Sequence, residues 1–368
     1  MYSMDSVGVT VSKISLIQAY MIIMLSVGLL NHVIIIPLLL SASGRDAWLV
    51  VLVVLVFSPL WVVFLNYIIK NMNGKHFKDW LHQHFGLFIS LLITGIYSVL
   101  IWLIAFISLK DTVTWAIASY LPQTPLVVLT GLTLIACFFA AYQGLPTIAM
   151  VSGILLPFVI ILGDLVMTAN FQFKDYSLLF PLLENGLASV WKGIPYISGG
   201  LLELSLLILF QHNLKKKPGF KGLMLVCILL AGLTFGPLTG SIAIFGADEA
   251  ANQRYPAYEQ WRMVRLGEYV EHVDFFSIYQ WLSGMFIRIS LSIYLIGELW
   301  KPYNKWLIML CSTVLMFGAV FAPISDMVFQ QLLSRYYFPS FCFFTATVMS
   351  IFVIKILISK RHARSNSQ

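Results

Sequence analysis

Apolar residues run along this chain in long blocks, and most polar residues fall between the blocks. A helix needs about 20 apolar residues to cross the hydrocarbon core of a bilayer, with a lower limit near 17. Ten blocks qualify: 14–40, 47–69, 87–108, 125–141, 145–167, 189–210, 221–245, 275–299, 304–322 and 338–358. The fourth and fifth are separated by Tyr142-Gln143-Gly144 with Pro146 just beyond, which predicts a tight helical hairpin. The pattern predicts an all-α polytopic membrane protein. Residues 1–358 read as one ten-span membrane domain, and 359–368 as a short basic tail, disordered beside the inner leaflet.

Composition agrees with the pattern. Of 368 residues, 59% are hydrophobic and 11% charged, against about 25% charged in a soluble domain. The net charge of +7 is spread over the loops instead of one face, so it carries no nucleic-acid signal. An even number of spans puts both termini on one side. With the N-terminus inside, the inner segments hold 14 basic residues and the outer ones 8, over longer loops. The positive-inside rule then places both termini in the cytoplasm. The first block exceeds the roughly 7–15 residues of a signal-peptide core, and no small-x-small cleavage site follows. It reads as a retained span. Cys137, Cys227, Cys311 and Cys342 lie singly in apolar blocks and read as inert core thiols.

The polar residues inside the blocks carry the candidate chemistry. The first span is interrupted by Gly28, Asn31 and His32, with Pro37 beyond as a kink. Polar side chains at bilayer depth are expensive, and an unwound segment offers free N–H and C=O groups at the midplane, as in transporter-type ligand sites. His32 can contact a ligand or titrate near neutral pH. It can equally donate to a freed carbonyl and hold the break in place. Glu203 lies in the sixth span behind Gly199-Gly200, which allow a second discontinuous helix. Three roles are open to it: ligand or cation binding, a proton-linked switch, or a structural carboxyl bonded to another helix. Arg288 in the eighth span reads as structural, snorkelling or paired with a buried acid, Glu203 among the candidates. Glu271 and Asp274 precede the eighth span and suit an N-cap or gating contacts. Tyr97 is a polar-tipped ring within the third span, and Asp164 stays at the interface. In the long outer connection, 246–272, Pro256 opens an expected helix. Its Tyr258, Trp261 and Val264 recur at spacing three, as on an interfacial amphipathic helix. His82-Gln83-His84 is a weak metal pattern, and no cofactor motif or nucleophile–base constellation is present.

Taken together, these residues resemble the endospore germination permeases, the B-type subunits of nutrient germinant receptors, relatives of the amino acid–polyamine–organocation transporters. The likeness covers nearly the whole chain. It rests on the ten spans, the interruption and proline of the first, and Glu203 after glycines in the sixth. Glu271, Asp274 and Trp281 around the start of the eighth span also match. Two places depart from the pattern. Leu30 and His32 stand where the family often has Gly-x-Gly, and His272 replaces a basic residue. The resemblance implies two inverted five-helix repeats with discontinuous first and sixth helices. It implies a small nutrient ligand, an amino acid by preference, with Gly28, Asn31, His32, Tyr97, Gly199, Gly200 and Glu203 as candidate contacts. It also implies two partners in the spore inner membrane: a larger receptor subunit with a soluble part, and a lipoprotein. A secondary amino acid transporter driven by protons or sodium is the competing expectation, since fold alone does not settle function.

Overall fold

The computed structural model describes residues 13–184, 186–265 and 272–365. The described residues are helical and loop, with no strand beyond one bridge between Ile14 and Leu214. Eight helical stretches are long and apolar enough to cross a membrane, so the protein is a polytopic all-α membrane protein.

The first stretch, Leu16–Met72, has 57 residues, roughly 85 Å of helix where one crossing needs about 30 Å. It divides at Gly44 (φ 54°, ψ −132°) into α1 (Leu16–Leu29) with α2 (Ile35–Ser43), and α3 (Ala47–Met72). The next, α4 (Phe77–Ser119), bends at Gly86. Gly86 has φ 79°, a backbone state that a side chain would strain, and the third expected span begins just after it. The predicted hairpin is formed by α5 (Leu126–Gln143) and α6 (Leu145–Ala169), which meet at Gly144 with Pro146 in the first turn of α6. The sixth block forms α7 (Gly186–Leu202), a tight turn at Glu203–Ser205, and α8 (Leu206–Phe210).

α9 (Phe220–Phe245) carries Pro237 in its interior. The following connection folds as α10 (Ala247–Asn252) and α11 (Pro256–Arg262). Pro256 does open a helix there, but Tyr258, Trp261 and Val264 are buried against protein. The amphipathic face covers the helix bundle. α12 (Phe276–Leu299) is the central helix, buried along most of its length and packed on α1, α4, α5 and α6. It also contacts α13 (Lys305–Val320), which at 16 residues is shorter than the eight stretches. α14 (Asp326–Leu332) continues through a π turn at Leu333–Tyr337 into α15 (Phe338–Ser365). The tail expected to be disordered instead extends α15 as far as Ser365. A helix already running through 338–358 needs no new nucleus to add residues.

The segments expected on one side of the membrane do meet. Ile14 exchanges backbone bonds with Asn213 and Lys215, the Gln211 side chain donates to Lys75 O, and Lys78 donates to Lys301 O. At the other end Arg45 donates to Phe180 O, and Arg254 joins Asp111 to Asp326. Exposed Val56, Phe88, Ile135, Phe158 and Phe343 form the surface suited to lipid.

Candidate ligand-binding site

The interruption of the first span is a change of pitch. Leu30–Ile34 winds as a π turn, in which the Ile35 N–H reaches Leu30 O. Flanking Leu29 (φ −58°, ψ −47°) and Ile35 (φ −75°, ψ −36°) remain right-handed helical. The backbone therefore does not present the open run of N–H groups expected from an unwound segment. In hydrocarbon such groups would stay unsatisfied, whereas a π turn displaces only a few carbonyls that side chains can reach. The turn in the sixth span also keeps helical dihedrals, at Leu202 (φ −67°, ψ −23°) and Leu206 (φ −55°, ψ −28°).

Arg288 meets one displaced carbonyl. The Leu30 N–H bonds to Val27 O, and Ser26 O accepts from Arg288 Nη1 at 2.8 Å. The same guanidinium holds Glu203 bidentately, with Nη1–Oε2 and Nη2–Oε1 both 2.6 Å. Glu203 and Arg288 are 0% and 1% exposed. A buried charge whose partner is removed is strongly destabilising, so this geometry ties the first, sixth and eighth spans. Gly199 and Gly200 permit the close approach: a Cβ at Gly199 would lie 2.7 Å from the Phe338 ring, and one at Gly200 would overlap Asn31 Oδ1.

Asn31 and His32 reach the opposite way, to α9. Asn31 Nδ2 donates to Leu230 O at 3.2 Å, and His32 Nδ1 lies 3.2 Å from Leu233 O. Pro237 explains the second contact. It lacks the N–H that would bond Leu233 O four residues earlier, so that carbonyl is orphaned within α9. His32 supplies the donor. A carbonyl accepts only, so Nδ1 carries a proton; in the neutral ring, the form that an apolar surround favours, Nε2 is then an acceptor.

A cavity of about 260 Å³ lies against this face, between α1, α6, α9, α11 and α12. Gly28 and His32 line it with Met24, Leu233, Gly236 and Trp281. Asn31, Tyr97, Gly199, Gly200, Glu203 and Arg288 are not among its lining residues. Tyr97 instead packs edge-on between Phe77 and Phe344, at 5.2 and 5.7 Å between centroids. Asp164 stands on the cavity's exposed rim with Lys174, whose Nζ donates to Met167 O at 3.1 Å.

Aromatic rings close the end of the cavity at α11. Trp115 stacks on Trp281 at 3.9 Å, and Tyr258 meets Trp115 edge-on at 5.6 Å. The Asp274 carboxylate accepts from Tyr120 Oη at 2.8 Å and Tyr258 Oη at 3.4 Å. Burial raises the Tyr120 hydroxyl above its ordinary pKa, which keeps it a donor to Asp274. Beyond the rings lies a polar recess of about 660 Å³, lined by Arg254, Tyr258, His272, Asp274 and Asp326. Asp274 thus lies between the rings and the recess; Glu271 lies outside the described residues.

Two charge clusters escaped the sequence reading. Arg254 binds Asp111 and Asp326, each at 2.6 Å, and covers the Tyr255 ring at 4.4 Å. At the opposite end Glu298 accepts from Lys301 at 2.9 Å and Lys305 at 3.0 Å, with His212 at 3.7 Å. Ligand atoms of His76, His212 and Glu298 lie within 4.8 Å of one another. Both carboxylate oxygens are held by lysines, so the chemistry is that of an ion-pair network. Pro237 is the clue legible in the sequence: a proline inside a span announces an orphan carbonyl one turn earlier.

The long apolar helices define a polytopic all-α membrane protein. A family profile described as Spore germination protein matches residues 10–326, and the chain belongs to that spore permease family. It is 37% identical to Spore germination protein XB of Bacillus anthracis over 96% of this chain and 100% of that protein. It is 23% identical to Spore germination protein KB of Bacillus subtilis over 69% of each chain. A further B. subtilis relative, Putative spore germination protein YfkT, is 25% identical over 70% of this chain and 71% of its own length.

Proposed function

We propose that this protein is the integral-membrane subunit of a spore nutrient germinant receptor. Its ligand, a small nutrient, binds in the cavity beside the π turn, and germination follows from the shift in helix arrangement that binding favours. The family and the near full-length relative support the role in germination. The observation that carries the site is the His32 contact with Leu233 O on the cavity wall, because it joins a ligand-facing ring to the links between α1 and α9. Within this reading Gly28 and His32 face the ligand. Glu203, Arg288, Asn31, Gly199 and Gly200 position the first span, and Asp274 belongs to the closure over the cavity. Ten crossings in two inverted repeats, cytoplasmic termini, the inner spore membrane, and a larger receptor subunit with a lipoprotein complete the proposal.

The test is a nutrient panel on spores lacking this gene, complemented with wild type and with His32→Ala. The reading expects loss of response to at least one nutrient on deletion, and a shifted dose response with His32→Ala at equal protein level. Unchanged germination on deletion contradicts it. Net uptake of labelled amino acid by this protein alone in proteoliposomes would instead favour the secondary transporter.

A further inference from the structure

We propose that the cavity takes an uncharged, lipophilic small molecule carrying an N–H or O–H donor, and that this molecule arrives through the hydrocarbon. The proposal rests on the reading of this cavity as the ligand site.

The access route follows from which lining residues are exposed. Ile160 lies within α6 and Gly232 within α9, both well inside their spans, and both line the cavity. Ile160 is 50% exposed and Gly232 is also exposed. On α9, Gly232 continues the exposed stripe of Leu225, Ile228 and Leu229, a face suited to lipid. A Cβ added at Gly232 or Gly236 would meet no atom within 4 Å, so the cleft between α6 and α9 is open there. The end towards the polar recess is closed by the Trp115–Trp281 stack and by Tyr258, which walls both spaces.

The chemistry follows from which polar atoms are engaged. Gln280 donates to Val159 O at 2.9 Å and accepts from Trp261 at 3.0 Å. Gln260 Nε2 is held by Pro237 O and Ser241 Oγ, both at 2.8 Å. Charged Asp164 and Lys174 stand at the rim, and Lys174 lies over the Phe171 ring. The deep walls, Met24, Leu25, Leu29, Val33 and Leu156, are apolar. A zwitterion placed there would leave its charges unpaired in a medium of low dielectric. Among the described residues the His32 ring makes one hydrogen bond, through Nδ1, and Nε2 remains as an acceptor. A hydroxyl or amide N–H on the ligand satisfies it; a lipid acyl chain, which has no donor, does not. The volume of about 260 Å³ exceeds the roughly 150 Å³ that holds benzene, which suits a single-ring or branched aliphatic molecule.

The experiment uses the full chain in lipid nanodiscs, photolabelled with a diazirine-bearing neutral aliphatic alcohol and with the matching alkane that lacks the hydroxyl. Labelled peptides are mapped by mass spectrometry. The expected result is labelling of α1, α6 and α9 by the alcohol, about tenfold weaker with the alkane, weaker to the same degree in His32→Phe, and lost in Gly232→Leu. Gly232→Leu projects into open space and improves helix propensity, so its monodispersity serves as the folding control. Equal labelling by alcohol and alkane means an acyl-chain cleft and overturns the proposal. So does undiminished labelling of Gly232→Leu, or displacement by zwitterionic leucine but not by a neutral alcohol. Labelling as expected, with an unchanged nutrient response in Gly232→Leu spores, upholds the cavity's chemistry and sinks its assignment as the receptor's nutrient site.

Discussion

The two sides of the first membrane span meet the same problem, polar groups at bilayer depth, and resolve it differently. On one side Ser26 O faces Arg288 and Glu203, where a bidentate ion pair fills the space; Asn31 bridges the two sides, with Oδ1 against Gly200 and Nδ2 donating to Leu230 O. On the other side Gly28 and His32 face a cavity, and His32 has one ring nitrogen bonded to Leu233 O and the other without a partner among the described residues. Charge is the louder signal in the sequence, yet in the structure the Glu203 and Arg288 charges are bound to each other. The side with a neutral ring and a spare acceptor is the one with room for a ligand. An intramembrane ionisable residue therefore marks a site only until its partner is known.

The contrast breaks most easily at the ion pair. Arg288→Met strands the Glu203 carboxylate and should cost about 3–5 kcal/mol, read as loss of monodisperse protein on size exclusion. Glu203→Leu combined with Arg288→Met removes both charges and should recover most of the folded yield. Failure of the double variant to recover would give the pair a role beyond holding the spans together.

On the cavity side, His32→Ala orphans Leu233 O and should cost about 1–3 kcal/mol of thermal stability. Pro237→Ala restores a backbone N–H to that carbonyl, so His32→Ala should cost markedly less in the Pro237→Ala background. Equal costs in both backgrounds would detach His32 from the proline. The glycines sharpen the same contrast. Gly200→Ala drives a methyl into Asn31 and should destabilise by about 1–3 kcal/mol, whereas Gly232→Ala points into open space and should stay within about 0.5 kcal/mol.

The smallest effect is expected at the His76 end, far from both sides. Burial and the neighbouring His212 hold the His76 imidazole below its usual pKa, against an opposing pull from Glu298. A His whose folded-state pKa is depressed binds more protons when unfolded, so stability falls as pH drops through the ordinary value of about 6.5. His76→Asn should flatten the pH dependence of the melting temperature in that window; an unchanged slope would assign it to other groups.

Much of the fold was legible because lipid imposes long apolar blocks and their spacing survives folding. The α5–α6 hairpin at Gly144 and the helix opened by Pro256 were readable from local chemistry. The burial of α11 was not, since its apolar face suits a membrane surface or a protein surface equally well. The site was half legible. Gly28, His32, Glu203 and Arg288 stood out as polar or flexible positions in apolar spans. Which of them pair depends on helix contacts between residues 85 positions apart for Glu203 and Arg288, and 201 for His32 and Leu233. No local pattern encodes such contacts. Asp111, Asp326 and Glu298 escaped because they lie near helix ends, where charge is ordinary until its partners are seen.

The most direct measurement compares the two sides in one assay: the nutrient dose response of spores carrying either the Glu203→Leu/Arg288→Met pair or Gly232→Leu, at matched protein level. If the ion pair is scaffold and the cavity is the nutrient site, Gly232→Leu raises the nutrient concentration needed by about tenfold or more, and the charge-free pair leaves it unchanged. An abolished response in the charge-free pair, with a normal one in Gly232→Leu, would return the site to Glu203 and contradict the account.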